Sequence, residues 1–282
     1  MPSPTQMTVP QLSRLLGTFK AATVIDVCID DNFNKGSRLI PKALHYSFKD
    51  LEALVGYLAC KHVVVVCKKG LKLSPGAAAL LRLRGIRAES LEGRNLASRD
   101  ADQSLISVVK IPELNHVSQN ILNHRASSPW VMRARTKTDR IACSWLIRRF
   151  VDLTARLLFV GASEVKSVAE KFNAIPFDVD GVFWRHREYQ CTFDTIIDEL
   201  VLDTDDIKKL AVIIRGADTN NLEASPQAAG LLAMYLGLSR MYSDDFEQLD
   251  AGLIFYDTLF LWVREASHEQ HSHNVNGGIA NV

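Results

Sequence analysis

Over the first hundred residues, short apolar runs alternate with amphipathic stretches, a rhythm typical of an α/β unit. Ala22–Val27 and His62–Val66 are short and almost wholly apolar, so each predicts a buried strand. Because His62–Val66 is rich in β-branched residues, we assign it to the centre of a parallel sheet. Leu51–Leu58 carries apolar residues at 51, 54, 55 and 58, the spacing of an amphipathic helix. The first part of the chain is therefore predicted to be an α/β unit built on a parallel sheet.

A second helix is predicted directly after the central strand. Ser74 is placed to act as its N-cap, and Pro75 suits the first helical position. The helix runs through Arg84 and ends at Gly85. Ile86–Leu91 is the next strand candidate.

The pattern changes in the second half, where helical spacing dominates. We predict a helix from about Thr138 to Val151 and another, capped by Ser163, that ends at Phe172. A long helix from Asp244 has a predicted buried stripe at positions 246, 249, 253, 256, 260 and 263. Leu157–Val160 is a short strand candidate. The remaining predictions are strands and turns over Ile175–Phe193 and a helix around Ile207, Leu210, Ala211 and Ile214. This half is therefore predicted to be a mainly helical α+β domain.

Length and composition fit two globular domains in a reducing compartment. A chain of 282 residues is long enough for two domains, and the polar, turn-rich stretch before residue 129 marks the predicted seam. Five cysteines without regular spacing suggest thiols rather than disulfides. Neither a secretory leader nor an apolar run long enough for a membrane helix is recognisable, so we expect a cytoplasmic protein without a membrane partner. The predicted units are a first domain at 1–110, a linker at 111–128, a second domain at 129–267 and a disordered tail at 268–282.

Overall charge argues against generic binding of nucleic acid. Lys and Arg number 33 against 32 Asp and Glu, which gives a formal net charge of +1. A nucleic-acid partner is therefore not expected. The sequence does not define an oligomeric state.

Cys67 is the strongest candidate for a reactive residue. It follows a buried strand and precedes a short loop that leads into a helix N-terminus, a position where the amides of the loop and the helix dipole stabilise an anion. Lysines in the loop add positive charge, so Cys67 is predicted to be a nucleophilic thiolate. The alternative is an inert buried thiol. The predicted anion-binding loop consists of Lys68, Lys69, Gly70, Leu71, Lys72 and Leu73.

Residues ~8–105 resemble a rhodanese domain, the fold of single-domain sulfurtransferases. The likeness rests on Thr23–Val27, on Leu39-Ile40-Pro41-Lys42-Ala43 beside the family's Ile-Pro-Gly-Ala turn, and on Leu91-Glu92-Gly93 beside its Leu-x-Gly-Gly exit. Cys67 stands where the family carries the Cys that becomes a persulfide. The resemblance implies that Cys67 accepts sulfane sulfur from a small-molecule donor and passes it to a thiol acceptor, with no cofactor required.

Three positions depart from the rhodanese pattern. Cys28 replaces the usual Arg, Arg94 replaces the second Gly of the Gly-Gly pair, and Ser98 stands where an aromatic residue is common. Cys28 is either a buried small residue or a resolving thiol for Cys67.

Residues ~129–265 resemble the C-terminal domain of chromate-resistance proteins. The matching segments are Trp130–Arg133, Asp139–Phe150, Ile175–Asp178, His186 with Cys191–Asp194, and Arg215–Asp218. The resemblance implies a module connected with chromate, so an oxyanion such as chromate is one candidate ligand.

The acidic residues of these motifs suggest a metal site. His186, Asp194 and Asp218 are the predicted ligands of a divalent metal, with Asp178 as a further carboxylate. The alternative is a network of surface polar groups, and Arg215 would suit an anion better than a cation. On the predicted helix, Asp139 and Cys143 are four residues apart and could contact a metal or oxyanion, or could simply cap and pack. The arginines at 133, 135, 140, 148 and 149 either face an oxyanion or form a solvated surface.

Two functions remain open at this point. The first is a sulfurtransferase coupled to a chromate-resistance module. The second is a chromate- or metal-responsive regulator whose first domain is a non-catalytic scaffold. The presence of Cys67 in a short loop favours the first.

Overall fold

The structure, a computed structural model, describes residues 5–29, 33, 38–67, 72–92, 108–109 and 128–269. The predicted linker therefore lies almost entirely outside the described residues, as does the tail from residue 270 onward. No helix in the described part of the chain combines the length and apolar character needed to cross a bilayer.

A five-stranded parallel sheet organises the first part of the chain. Its strands are β1 (Gln6–Met7), β2 (Thr23–Asp26), β4 (Leu44–His45), β5 (His62–Val66) and β6 (Arg87–Leu91). They lie in the order β1-β6-β5-β2-β4, and every neighbouring pair is parallel. The predicted central strand thus has the bounds His62–Val66 and lies in the middle of the sheet. A separate antiparallel pair joins β3 (Arg38–Leu39) to β7 (Val108–Val109).

Helices cover both faces of this sheet. The helices are α1 (Val9–Leu15), a 3₁₀ turn at Leu51–Leu54 that continues into α2 (Val55–Leu58), and α3 (Leu73–Leu83). Alternate side chains of β5 enter two hydrophobic clusters, one against α2 and α3 and the other against α1. The parallel strands are buried on both faces, which explains their almost continuous apolar sequence.

The predicted cap of α3 is wrong by two residues. The helix begins at Leu73 with Lys72 as N-cap, and Lys72 makes no capping hydrogen bond through its side chain. Ser74 is instead fully buried in the first turn, where its hydroxyl contacts Cys67. The predicted end of the helix lies within a residue of the observed one, because Arg84 is the C-cap and Gly85 follows it with a φ of +78°.

The second half is helix-rich with a small parallel sheet. Strands β8 (Pro129–Arg133), β9 (Arg156–Val160) and β10 (Ile175–Pro176) pair in the order β10-β8-β9. The helices are α4 (Thr138–Leu146), which continues as a π-helical turn at Ile147–Val151, α5 (Val165–Phe172), α6 (Thr192–Leu200), α7 (Asp205–Asp218), a 3₁₀ turn at Leu222–Ala224, α8 (Ala228–Met241), and α9 (Asp245–Leu261), which continues as a π-helical turn at Trp262–Ala266. The mainly helical α+β prediction for this half is confirmed.

Three local predictions in this half need correction. Glu164, not Ser163, is the N-cap of α5. The segment read as strands and turns up to Phe193 already contains the start of α6 at Thr192. Phe246 is exposed, whereas the remaining positions of the predicted stripe are buried. The predicted start of α9 at Asp244 agrees with the structure, where Asp244 is the N-cap and its carboxylate accepts the backbone N–H groups of Phe246 and Glu247.

The two halves contact each other through backbone, aromatic and charged groups. The guanidinium of Arg264 donates to the carbonyl oxygens of Leu16 and Arg14, at 3.2 and 2.9 Å. Gly17 has a φ of +75° and lies so close to two aromatic rings of the second half, Phe150 and Phe260, that a Cβ atom would overlap them. This contact therefore requires glycine for both conformation and space.

Candidate functional site

Cys67 lies at the carboxyl end of β5, as predicted. Its side chain is buried, and its Sγ atom is 3.3 Å from the hydroxyl oxygen of Ser74 in the first turn of α3. Lys72 and Leu73 of the predicted loop form the start of α3. The other four predicted loop residues, Lys68, Lys69, Gly70 and Leu71, lie outside the described residues. The described geometry therefore places a thiol, a hydroxyl and a helix N-terminus together.

Cys28 also occupies the carboxyl edge of the sheet. It follows β2, its backbone N–H donates to the carboxylate of Asp26, and it belongs to the same hydrophobic cluster as Cys67. No disulfide joins any of the five cysteines, all of which are described. That Cys28 acts only as a buried small residue, or alternatively as a resolving thiol for Cys67, stays a prediction in both forms.

A second site forms around the imidazole of His186. Its Nε2 atom lies 3.3 Å from Asp139 Oδ2, 3.3 Å from Asp178 Oδ1 and 3.5 Å from Asp218 Oδ2. Asp139 lies in the first turn of α4, and Asp178 lies in the segment after β10. His186 lies in the loop that follows, and Asp218 is the last residue of α7. The three carboxylates are largely buried, whereas 45% of the His186 side chain is exposed. The imidazole therefore covers a buried group of carboxylates at the protein surface.

Hydrogen bonds fix the orientation of these carboxylates. Asp139 accepts the backbone N–H groups of Thr192 and Phe193 at the start of α6, at 3.0 and 3.1 Å. Asp178 accepts Arg140 Nε at 2.5 Å and the hydroxyl of Thr192 at 3.1 Å. The oxygens of Asp139 and Asp178 that face His186 are thus held by a backbone amide and by the Thr192 hydroxyl, respectively.

The crowding of like charges perturbs the acid–base behaviour of this group. Hydrogen bonds to Asp139 and Asp178 raise the pKa of His186 to about 10. Burial and the neighbouring Asp139 raise the pKa of Asp218 to about 6. Burial alone would raise the pKa of Asp178, but hydrogen bonds from His186 and Arg140 outweigh it, so the pKa is lowered. Perturbations of this kind are common at functional sites.

Comparison with known proteins shows what this half of the chain is similar to. Residues 130–263 match the family model of the ChrB C-terminal domain. A curated relative, Protein ChrB of Cupriavidus metallidurans, is 29% identical over 132 residues, which cover 46% of this chain and 39% of the relative. The chain thus matches well under half the length of that protein. All four residues of the His186 group lie within the ChrB-like range.

Two solved structures resemble the first part of the chain. A crystal structure from Staphylococcus saprophyticus is 20% identical, with a TM-score of 0.30, and covers 35% of this chain and 96% of its own. The crystal structure of a rhodanese-like domain protein from Staphylococcus aureus is 22% identical, with a TM-score of 0.30, and covers 35% of this chain and 95% of its own.

Asp194, a predicted metal ligand, contacts other partners in the ChrB-like region. Its carboxylate accepts Arg215 NH1 at 2.7 Å and the backbone N–H of Cys191 at 3.0 Å. It does not belong to the group of described residues whose positions would allow them to hold a metal ion together, which comprises Asp139, His186 and Asp218. The spacing from Cys191 to Asp194 is that of a capping box, a local signal that could have assigned Asp194 to the start of α6.

Sequence reasoning missed the central position of Asp139. Its predicted proximity to Cys143 is confirmed, because the thiol lies 3.7 Å from Asp139 Oδ1. Burial and Asp139 raise the pKa of Cys143 well above its usual value, and the same two causes act on Cys191. Both thiols are therefore held in the protonated form, which is a poor metal ligand.

The predicted arginine cluster divides among several acidic partners. Arg133 and Arg140 pair with Asp178, Arg148 with Asp250 and Arg149 with Asp257. Arg135 is exposed, and its backbone N–H donates to the carboxylate of Asp245. An open cavity of about 560 Å³ also borders Arg148 and Arg149.

Proposed function

We propose that the protein is a rhodanese-type sulfurtransferase in which Cys67 carries the transferred sulfur, coupled to the ChrB-like region. The observation that carries this proposal is the position of Cys67 between the carboxyl end of the central strand β5 and the N-terminus of α3. In open parallel sheets this edge is where ligands bind. The dipole of α3 favours negative charge there.

The chemistry requires a nucleophilic sulfur and stabilisation of an anion. The Cys67 thiolate attacks the outer sulfur of thiosulfate, the donor S–S bond breaks, and sulfite leaves with the bonding electron pair. The product is a Cys67 persulfide anion. An acceptor thiolate then attacks the terminal sulfur, forms its own persulfide and returns Cys67 to the thiolate.

Ser74 and α3 are suited to support both stages. The Ser74 hydroxyl is 3.3 Å from Cys67 Sγ, close enough to donate to a sulfur anion. In this proposal the amides of the loop from residue 68 to residue 73 supply further donors.

Mass spectrometry of the intact protein tests the proposal. After incubation with thiosulfate and removal of excess reagent, we expect a mass gain of one sulfur atom, mapped to Cys67 and absent in Cys67→Ser. Addition of cyanide as a sulfur acceptor should release thiocyanate and restore the original mass.

Cys60→Ser is the matched control, because Cys60 is an exposed cysteine near β5. It should keep both the adduct and the turnover. An adduct that maps to Cys60, or no thiocyanate formation with any of several sulfane-sulfur donors, would overturn the proposal.

A further inference from the structure

The group around His186 has the composition of a cation site. Asp139, Asp178 and Asp218 present oxygens to one nitrogen atom, and an imidazole nitrogen can donate a single hydrogen bond. One N–H group is therefore shared among three converging carboxylates, of which Asp139 and Asp178 also accept the hydrogen bonds described above. Carboxylate oxygens together with one imidazole nitrogen are ligands that a borderline divalent metal accepts.

The distances also fit a shared metal ion. Metal–ligand bonds of about 2.1 Å give ligand atoms about 3.4 Å apart around a tetrahedral centre. His186 Nε2 lies 3.3, 3.3 and 3.5 Å from the three carboxylate oxygens. One ligand atom each from Asp139, His186 and Asp218 lies within 4.8 Å of the others. The distances from His186 Nε2 to the carboxylate oxygens therefore match the spacing of a coordination shell.

The surroundings resemble the outer shell of a metal centre. Ligating carboxylates are typically held by hydrogen bonds that fix their orientation. Thr192 and Phe193 hold Asp139 through backbone amides, and Arg140 holds Asp178. The half-exposed His186 gives a cation access from solvent.

We propose that Asp139, His186 and Asp218 bind one divalent first-row metal ion, with Asp178 as a further oxygen donor. The mixed nitrogen and oxygen ligands favour ions such as Mn²⁺ or Zn²⁺ over Mg²⁺. This site replaces the Asp194-containing set expected from sequence, since Asp194 is engaged by Arg215 and Cys191. It is independent of the sulfur chemistry at Cys67.

Binding of Mn²⁺ to the full chain, measured by titration calorimetry, is the first test. We expect one ion per chain and at least about a 100-fold loss of affinity in His186→Ala and in Asp218→Asn, because loss of an outer-shell partner alone costs 10–100-fold. Asp203→Asn changes an exposed aspartate of the same region and should bind as the parent does.

Pulsed electron paramagnetic resonance of the bound Mn²⁺ provides a second, direct readout that does not depend on a variant folding. A coupling to one imidazole ¹⁴N should be present in the parent protein. Absence of that coupling, absence of Mn²⁺ binding, or binding that His186→Ala leaves unchanged would each overturn the proposal. The last result would assign the ion to another site, such as the histidines of the C-terminal tail.

Discussion

Lys42 is expected to destabilise the folded protein at neutral pH, and Lys42→Met should remove that cost. The Nζ atom is buried and has no hydrogen-bond partner among the described residues. Burial, followed by the positive charge of Arg149, lowers the pKa of Lys42 from 10.5 to about 7, although Asp257 acts in the opposite direction. Methionine keeps an unbranched apolar chain of similar length and removes the charge.

The difference between these two pKa values sets the size of the effect. One pKa unit corresponds to about 1.4 kcal/mol, so the buried ammonium costs up to about 5 kcal/mol below pH 7, where both states are protonated. Between pH 7 and pH 10.5 the unfolded chain keeps a proton that the folded chain has released, so stability rises with pH. The free energy of unfolding of Lys42→Met should therefore exceed that of the parent by up to about 5 kcal/mol at pH 6 and by about 2 kcal/mol at pH 9.

Urea unfolding at pH 6 and pH 9, followed by far-ultraviolet circular dichroism, measures this difference. Lys49→Met is the matched control, because Lys49 is exposed and its replacement should change stability by less than about 0.5 kcal/mol. The reasoning fails if Lys42→Met is less stable than the parent at pH 6, or if its advantage is the same at both pH values.

Three further variants test other contacts. Gly17→Ala should destabilise the protein by several kcal/mol, seen as a lower Tm, because its φ is +75° and its Cβ would overlap two aromatic rings; an unchanged Tm would contradict the described packing. Asp257→Asn should cost about 3–5 kcal/mol in urea unfolding, since Arg149 would lose a largely buried partner; equal stability would refute this. Ser74→Ala should slow persulfide formation on Cys67 without changing Tm by more than a few degrees, and an unchanged rate would remove Ser74 from the proposed mechanism.

Elements with strong local signals were predictable from sequence. The bounds of β5 agree with the prediction because a β-branched run buried on both faces has no competing helical pattern. The predicted start of α9 at Asp244 likewise agrees with the structure, because the side chain of Asp244 caps the helix through the amides two and three residues later. Ser74 was misassigned because its hydroxyl contacts Cys67, seven residues earlier, and this contact depends on the packing of α3 against the sheet.

The candidate metal site was only partly predictable, since its ligands meet through tertiary structure. His186 and Asp218 were expected, but Asp139 joins them because the start of α6 packs against the start of α4 and donates two backbone amides to its carboxylate. The spacing of Asp139 and Cys143 showed their common face on α4 and carried no information about α6. Lys42 was also only partly predictable. Its φ of +59° accounts for the Gly that the rhodanese family carries at this position of its Ile-Pro-Gly-Ala turn. The burial of its Nζ atom depends on tertiary structure and could not be predicted from the sequence.

Burial of α4 along its whole length has a consequence for measurement. Every residue from Thr138 to Leu146 is buried, so solvent reaches the backbone amides of this helix only when the surrounding structure opens. Amide hydrogen exchange in α4 should therefore report the free energy of global unfolding rather than local fraying. We therefore expect Asp139 to project from one of the slowest-exchanging segments among the described residues.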